Sequence, residues 1–152
     1  MRATWFKGSF EQFSKVSQEG YDRGVRIMHM LGGISIDIKG KRAIAQTKMT
    51  ISQRAEVEGV VCDVVCTGRF YDCVEGRAGR WGLVLAQPIY EKDRVDPVDP
   101  EVGLRIDAAR LAGFPAGYRH LAYIQTQLGY RVKLDMPQLV GPEVEALYAR
   151  GR

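Results

Sequence analysis

The two histidines, His29 and His120, are the only imidazoles in the sequence, so any histidine acid–base chemistry depends on one of them. His29 alternates with Ile27 and Leu31 along one face of a strand-like run, which predicts that its ring is partly removed from water. An imidazole suits acid–base catalysis because its pKa of about 6.5 lets it take up and return a proton near neutral pH. We therefore predict His29 as a general acid or base. The alternative is a buried histidine bonded to a backbone carbonyl, and His120 is predicted to be structural.

Three further side chains are predicted to assist catalysis. Tyr71 shares the mixed face of a predicted strand with Asp63 and Arg69, and Tyr90 and Lys92 lie at the end of the last predicted strand. A hydroxyl or ammonium group at these positions could stabilise a developing oxyanion. The alternatives are an ion pair without function around Tyr71 and a solvated strand end at Tyr90 and Lys92.

Apolar and aromatic side chains near His29 are predicted to form the wall of a pocket. Methionine adapts to irregular shapes and aromatic rings stack on ring-shaped ligands. The predicted wall residues are Trp5, Phe6, Met28, Met30 and Met49. An ordinary hydrophobic core is the alternative explanation.

The sequence contains no motif for a cofactor or a metal. Gly32 and Gly33 lie within a predicted strand, and the glycines between Gly76 and Gly82 lie in a predicted hairpin, so neither pair forms a phosphate-binding loop. Cys62 and Cys66 lie within one strand, without the turn that tetrahedral metal ligands need. We therefore expect acid–base chemistry with no cofactor and no metal.

Composition predicts one soluble, cytoplasmic domain. The 152 residues are 45% hydrophobic and 26% charged, with a net charge of +4 from basic residues that are scattered along the chain. Nucleic acid is therefore not an expected partner, and the longest uncharged apolar run, residues 82–90, is too short to span a bilayer. The first ten residues lack the layout of a secretory signal, and three cysteines cannot all form disulfides with one another.

Hydrophobic periodicity predicts an α+β protein. Ser9 and Gln12 have the spacing of a capping box, which predicts a helix from Ser9 to about Glu19. Pro88 predicts a strand end or an edge of the sheet, and the acidic, proline-containing stretch after Tyr90 predicts an extended surface segment. The predicted strands are residues 25–38 with a bulge at 32–33, 42–53, 58–74 and 81–91, and further helices are predicted near 104–111, 118–128 and 142–150.

The runs HMLGGISIDIKGKRAIAQTKMTI and GRFYDCVEGRAGRWGLVLAQPIYEKD resemble the SnoaL-like branch of the nuclear transport factor two-like superfamily, which includes scytalone dehydratase. The resemblance implies a curved, mostly antiparallel sheet that forms a cone-shaped pocket with packed helices in residues 1–93. Residues 94–152 would be a helical C-terminal extension packed on the same domain. Members of this branch have a long first helix before the position that matches Trp5. Either that helix is missing by truncation, or the tail after Asp93 supplies the missing wall.

The resemblance also implies a function. We expect a cofactor-independent lyase, of the dehydratase or deformylase type, or an isomerase acting on a small apolar, aromatic compound, as in aromatic compound catabolism. Scytalone dehydratase has a second pocket histidine on the strand that matches residues 62–69, where Asp63, Cys66 and Thr67 are the nearest candidates here. The expected assembly is a homodimer or higher homo-oligomer. The alternative is a non-catalytic module of the same fold that binds a small ligand or dimerises.

Overall fold

A four-stranded antiparallel sheet organises the structure, a computed structural model that describes residues 1 to 151. Its strands lie in the order β1-β2-β3-β4, and helices flank the sheet, which confirms the predicted α+β class. Within the described residues, no helix has the length and apolar character needed to cross a membrane. The elements are α1 (Phe10–Asp22), β1 (Ile27–Lys39), β2 (Arg42–Val57), β3 (Val60–Arg77), β4 (Arg80–Pro97), α2 (Ala108–Ala112), α3 (Arg119–Gln127) and α4 (Pro142–Gly151).

Helix α1 begins with the predicted capping box. The Ser9 hydroxyl accepts a hydrogen bond from the backbone N–H of Gln12 at 3.1 Å, and the Gln12 side-chain oxygen accepts one from the backbone N–H of Ser9 at 2.9 Å. These two bonds satisfy donors that a helix start otherwise leaves without partners. The helix continues to Asp22, three residues beyond the predicted end.

Strand β1 contains the predicted bulge and forms one edge of the sheet. Leu31 lies opposite Met49 and Ile34 lies opposite Thr47, so two glycines of β1 face a single residue of β2. Every residue of β1 is exposed, including a row of aliphatic side chains at Leu31, Ile34, Ile36 and Ile38. An unpaired apolar edge of this kind favours association, and the expected homodimer stays a prediction.

Strand β4 is longer than predicted. It continues through Pro88 to Pro97 and pairs with β3, so the predicted surface segment at residues 92–97 was wrong. Of the two alternatives at Pro88, the strand does not end there, and the sheet edge is confirmed. Pro88 is tolerated because β4 is the other edge of the sheet, where a missing backbone donor breaks no inner ladder. On its outer side, Tyr90 donates its backbone N–H to the carbonyl of Pro137 at 2.9 Å.

The two faces of the sheet carry different helices. Helix α3 packs its buried residues, among them Leu121 and Ile124, against Val64, Cys66 and Tyr90 on one face. Helix α4 covers part of the opposite face, where its buried residues Val144 and Leu147 pack with Tyr71 and Ile89. The main hydrophobic core therefore lies between α3 and the face that also carries His29.

Candidate functional site

A cavity of about 340 Å³ lies on the face of the sheet that α3 covers. Side chains from β1 to β4 form its floor, α1 and the segment before it form one wall, and α3 forms another. The volume is at the small end of the range for small-molecule sites, which are typically about 300–1,000 Å³. Its apolar lining includes Trp5, Phe13, Val16, Ile27, Ile51, Phe70, Pro88 and Leu121, and its polar lining includes Thr4, Ser17, His29, Gln53, Tyr90, Gln125 and Tyr130.

His29 projects from β1 into the cavity lining. It lies directly opposite Ile51 on β2, and its ring centroid is 6.4 Å from that of Phe70. Although His29 stays in contact with solvent, the neighbouring cavity side chains partly desolvate its ring and lower its pKa, which favours the neutral ring near pH 7. Among residues 1 to 151 the contact found for its ring is that with Phe70, and a hydrogen bond to a backbone carbonyl is not present. The neutral ring is able to accept a proton from a bound molecule.

Tyr90 supplies a second polar group in the cavity and is held by residues that the sequence analysis did not select. Its ring is buried 4.9 Å from that of Tyr118, and burial raises the pKa of its hydroxyl well above the ordinary value. Thr4 hydrogen-bonds to Tyr90 and donates its own hydroxyl to the Gln125 side-chain oxygen at 2.7 Å. Tyr90 is therefore a fixed, neutral hydrogen-bonding group.

Gln53 is another of the cavity residues that the sequence analysis missed. It is only 3% exposed, and its side-chain oxygen is buried without a hydrogen-bond partner among the described residues. The sequence pattern could have identified Gln53, because in β2 it follows Met49 and Ile51 in the two-residue alternation of the apolar face. A polar residue in that series indicates a site or a buried hydrogen bond.

The aromatic residues predicted for the pocket wall lie together at the N-terminal side of the cavity. Trp5 lines it, with its ring centroid 5.8 Å from Phe13 and 5.3 Å from Tyr130. Phe6 packs on Trp5 and on Phe13 from outside the lining. Of the two predicted wall residues, Trp5 lines the cavity and Phe6 lies behind it.

Met49 and Cys66 are on the cavity face but lie in the core beside the lining. Both side chains are buried in the cluster that includes Tyr90 and Leu121. Burial also raises the pKa of the Cys66 thiol well above its usual range, so the thiol stays protonated.

The other predicted site residues lie on the opposite face of the sheet. Met28 and Met30 are 57% and 59% exposed there, and Tyr71 is buried against Tyr148 of α4. Asp63 accepts two hydrogen bonds from Arg54, at 2.9 and 2.8 Å. The structure does not bring these side chains to His29.

Lys92 is separated from Tyr90 by a bulge in β4. Tyr90 lies opposite Gly68 and Lys92 lies opposite Thr67, so Glu91 is an extra residue between two successive pairs. The insertion reverses the alternation, which places the exposed Lys92 on the face away from the cavity. The Glu91 carboxylate instead pairs with Arg69 and Lys48 on that far face.

His120 lies outside the cavity lining and pairs with a buried carboxylate. Its Nδ1 is 2.8 Å from the Asp93 carboxylate, whose other oxygen accepts the backbone N–H of Leu121 at 2.8 Å. The arrangement fits the predicted structural role of His120. In residues 1 to 151, no three metal-ligating side chains come together.

Comparison with known proteins finds fungal relatives. The chain is 42% identical over 131 residues to a PEP2-like protein of Fusarium vanettenii, covering 84% of this chain and 56% of that protein. It is 41% identical over 138 residues to pea pathogenicity protein 2 of the same fungus, covering 88% of this chain and 59% of that protein. An uncharacterized protein of Emericella nidulans is 35% identical over 145 residues, or 88% of this chain and 60% of that protein. No family model matches the chain.

Proposed function

We propose that this chain is a cofactor-independent lyase or isomerase that uses His29 for acid–base chemistry on a small, largely apolar molecule. The observation that carries the proposal is the composition of the cavity lining. His29 is the only side chain of the described lining that titrates near neutral pH, and it lies among apolar side chains and neutral hydrogen-bonding groups. One proton acceptor in an apolar cavity suits proton abstraction from an uncharged substrate.

A dehydration illustrates how these residues would divide the work. Neutral His29 accepts a proton from a substrate carbon, the C–H electron pair forms the new double bond, and the adjacent C–O bond breaks. The imidazolium then returns its proton to the departing oxygen, which leaves as water. Tyr90, fixed by Thr4, would orient a substrate oxygen through its neutral hydroxyl.

The SnoaL-like resemblance supports the same proposal, because enzymes of that branch use a pocket histidine without a cofactor. We propose that the four-stranded sheet, α1 and α3 form the cone-shaped pocket that the resemblance implies. The chain spans 56% to 60% of the length of the three fungal relatives described above, so the activity of a whole protein of that length is part of the proposal. The name pea pathogenicity protein 2 refers to pathogenicity and states no reaction.

A non-catalytic ligand-binding module is the second candidate. It is favoured by one observation, namely that the lining residues which the structure describes contain no second side chain that titrates near neutral pH. Proton return would then depend on His29 alone. Such a module would bind the same class of molecule without turnover.

Substitution of His29 tests both candidates. We expect His29→Ala to lower turnover of an active phenolic or alicyclic alcohol by about 100-fold or more, since general acid–base groups contribute about 10²–10⁴-fold. A compound screen followed by absorbance identifies the active compound, and fluorescence titration measures its binding. His120→Ala is the matched control, because it removes the other imidazole, and it should retain turnover. Circular dichroism checks that this variant is folded.

The results separate the candidates. Turnover by the wild type that survives His29→Ala would refute the role of His29. Binding in the cavity without turnover by the wild type would favour the ligand-binding module.

A further inference from the structure

The side-chain amide of Gln53 is a polar group of the cavity whose buried oxygen lacks a hydrogen bond. This oxygen has no partner among residues 1 to 151, whereas Thr4 bonds to both Gln125 and Tyr90. Buried acceptors are nearly always hydrogen-bonded, so an exception requires an explanation. Gln53 is 3% exposed and lines the cavity, so a bound molecule is able to supply the missing donor.

The position of Gln53 relates this acceptor to His29. Gln53 lies opposite Ile27, and His29 lies opposite Ile51, so Gln53 and His29 are diagonal neighbours on one face of adjacent antiparallel strands. Such neighbours are typically about 7–8 Å apart at Cα, so their long side chains can both reach one small ring. The aromatic ring of Phe70 lies beside His29 and offers a stacking surface.

The charge of the lining restricts the ligand further. The described lining contains no Asp, Glu, Lys or Arg side chain, so no permanently charged side chain there offsets the cost of burying a charged ligand. Carboxylates, phosphates and ammonium compounds are therefore unfavourable. An uncharged molecule that donates a hydrogen bond from one edge fits the polar and apolar parts of the lining together.

We infer that Gln53 selects the ligand of this cavity by accepting a hydrogen bond from a hydroxyl group on an uncharged cyclic molecule, a phenol or an alicyclic alcohol, bound against Phe70 and beside His29. The inference rests on the proposed function and names its substrate class. It requires only that the molecule binds, and it holds whether or not His29 then transfers a proton. Gln53 is a positioning and specificity residue here.

A matched pair of fluorescent probes tests the role of the amide. 2-Naphthol carries the hydroxyl donor, whereas 2-methoxynaphthalene has nearly the same ring and oxygen but no donor. We expect the wild type to bind 2-naphthol about tenfold more tightly, and we expect Gln53→Leu to bring the two dissociation constants within about twofold. Gln87→Leu is the control, because Gln87 is a buried glutamine of β4 that lies outside the cavity lining.

Thermal unfolding without a ligand gives an independent measurement on the same variants. Leucine has a similar size and leaves no unpaired acceptor, so Gln53→Leu should melt at the wild-type temperature or higher. Gln87→Leu should melt lower, because it loses the hydrogen bond from the Gln87 amide to the Pro88 carbonyl.

The outcomes distinguish this inference from the proposed function. Unchanged preference for 2-naphthol in Gln53→Leu, or a clear loss of stability in that variant, would overturn the inference and leave the cavity proposal intact. Failure of the wild type to bind either probe would overturn both. Loss of preference in Gln53→Leu together with retained preference in His29→Ala would support the role of Gln53 independently of catalysis.

Discussion

The hydrogen bonds of the buried Asp93 carboxylate allow the loss of stability in Asp93→Ala to be predicted quantitatively. Tyr118, the N-cap residue of α3, has no side-chain hydrogen bond to the helix, and Asp93 of the neighbouring strand supplies one to Leu121 instead. The same carboxylate accepts from His120, and its side chain is 0% exposed. Asp93→Ala therefore removes a helix cap and the partner of a histidine in one step.

The magnitude follows from the two bonds. Loss of a helix cap costs about 0.5–2 kcal/mol, and a hydrogen bond to a charged group contributes about 1.5–3 kcal/mol. Removal of the carboxylate also removes the cost of burying it, which offsets part of the sum. We expect the free energy of unfolding to fall by about 3 kcal/mol, which corresponds to a melting temperature lower by about 6–12 °C for a chain of this size.

Urea unfolding followed by circular dichroism, together with thermal melts, measures this change. Asp93→Asn should show a smaller loss, because the amide keeps an oxygen for the Leu121 N–H. Asp96→Ala is the control on the same strand, since Asp96 pairs with Arg94 where both side chains are largely exposed, and it should change stability by less than about 1 kcal/mol. The reasoning fails if Asp93→Ala is as stable as Asp96→Ala.

Two other predictions concern the sheet that carries the site. A Cβ at Gly68 would overlap the carbonyl oxygen of Ile89, so Gly68→Ala should lower the free energy of unfolding by about 1–3 kcal/mol. Urea titration measures this change. Gly33→Ala is the control and should have a small effect, because a Cβ at Gly33 meets no atom within 4 Å. Because burial lowers the pKa of His29, the unfolded chain binds more protons than the folded chain below about pH 6.5. The wild type should therefore lose stability as the pH falls from 7 to 5, and His29→Gln should lose less; equal slopes would contradict this assignment.

Local signals in the sequence predicted the elements well where one or two residues decide the structure. The capping box of Ser9 and Gln12 positioned the start of α1, and the glycine pair of β1 positioned its bulge. The turn at Gly40, where φ is +61°, agrees with the preference of glycine for that backbone region. In each case the side chain or its absence controls the backbone within a few residues, without help from tertiary contacts.

The extent of β4 could not be predicted in this way. Pro88 and a run of acids argue against a strand in local terms, but pairing with β3 and contact with residues 137–138 on the outer edge outweigh these preferences. Asp93 contributes through tertiary structure as well, because the helix that it caps begins 26 residues later. Such a pairing has no local signature in the sequence.

Site membership depends on which face of the sheet each side chain occupies, and this explains the pattern of correct and misplaced residues. The structure places His29, Tyr90, Met49 and Cys66 on the cavity side of the sheet, and alternation along the strand supplied the reason only for His29. Alternation also separated Tyr71 from Cys66, so the sequence already contained the reason why Tyr71 lies beneath α4.

Lys92 was misplaced for a different reason. A single inserted residue, Glu91, reverses every later side chain of β4, and no property of the sequence near Glu91 distinguishes a bulge from regular pairing. The described lining of the cavity consequently contains no Lys or Arg side chain, although a lysine lies two positions from Tyr90. If Lys92 faced the cavity, it would offer a charge to anionic ligands. The position of Lys92 on the face away from the cavity therefore agrees with the inference that the cavity binds an uncharged ligand beside Gln53 and His29.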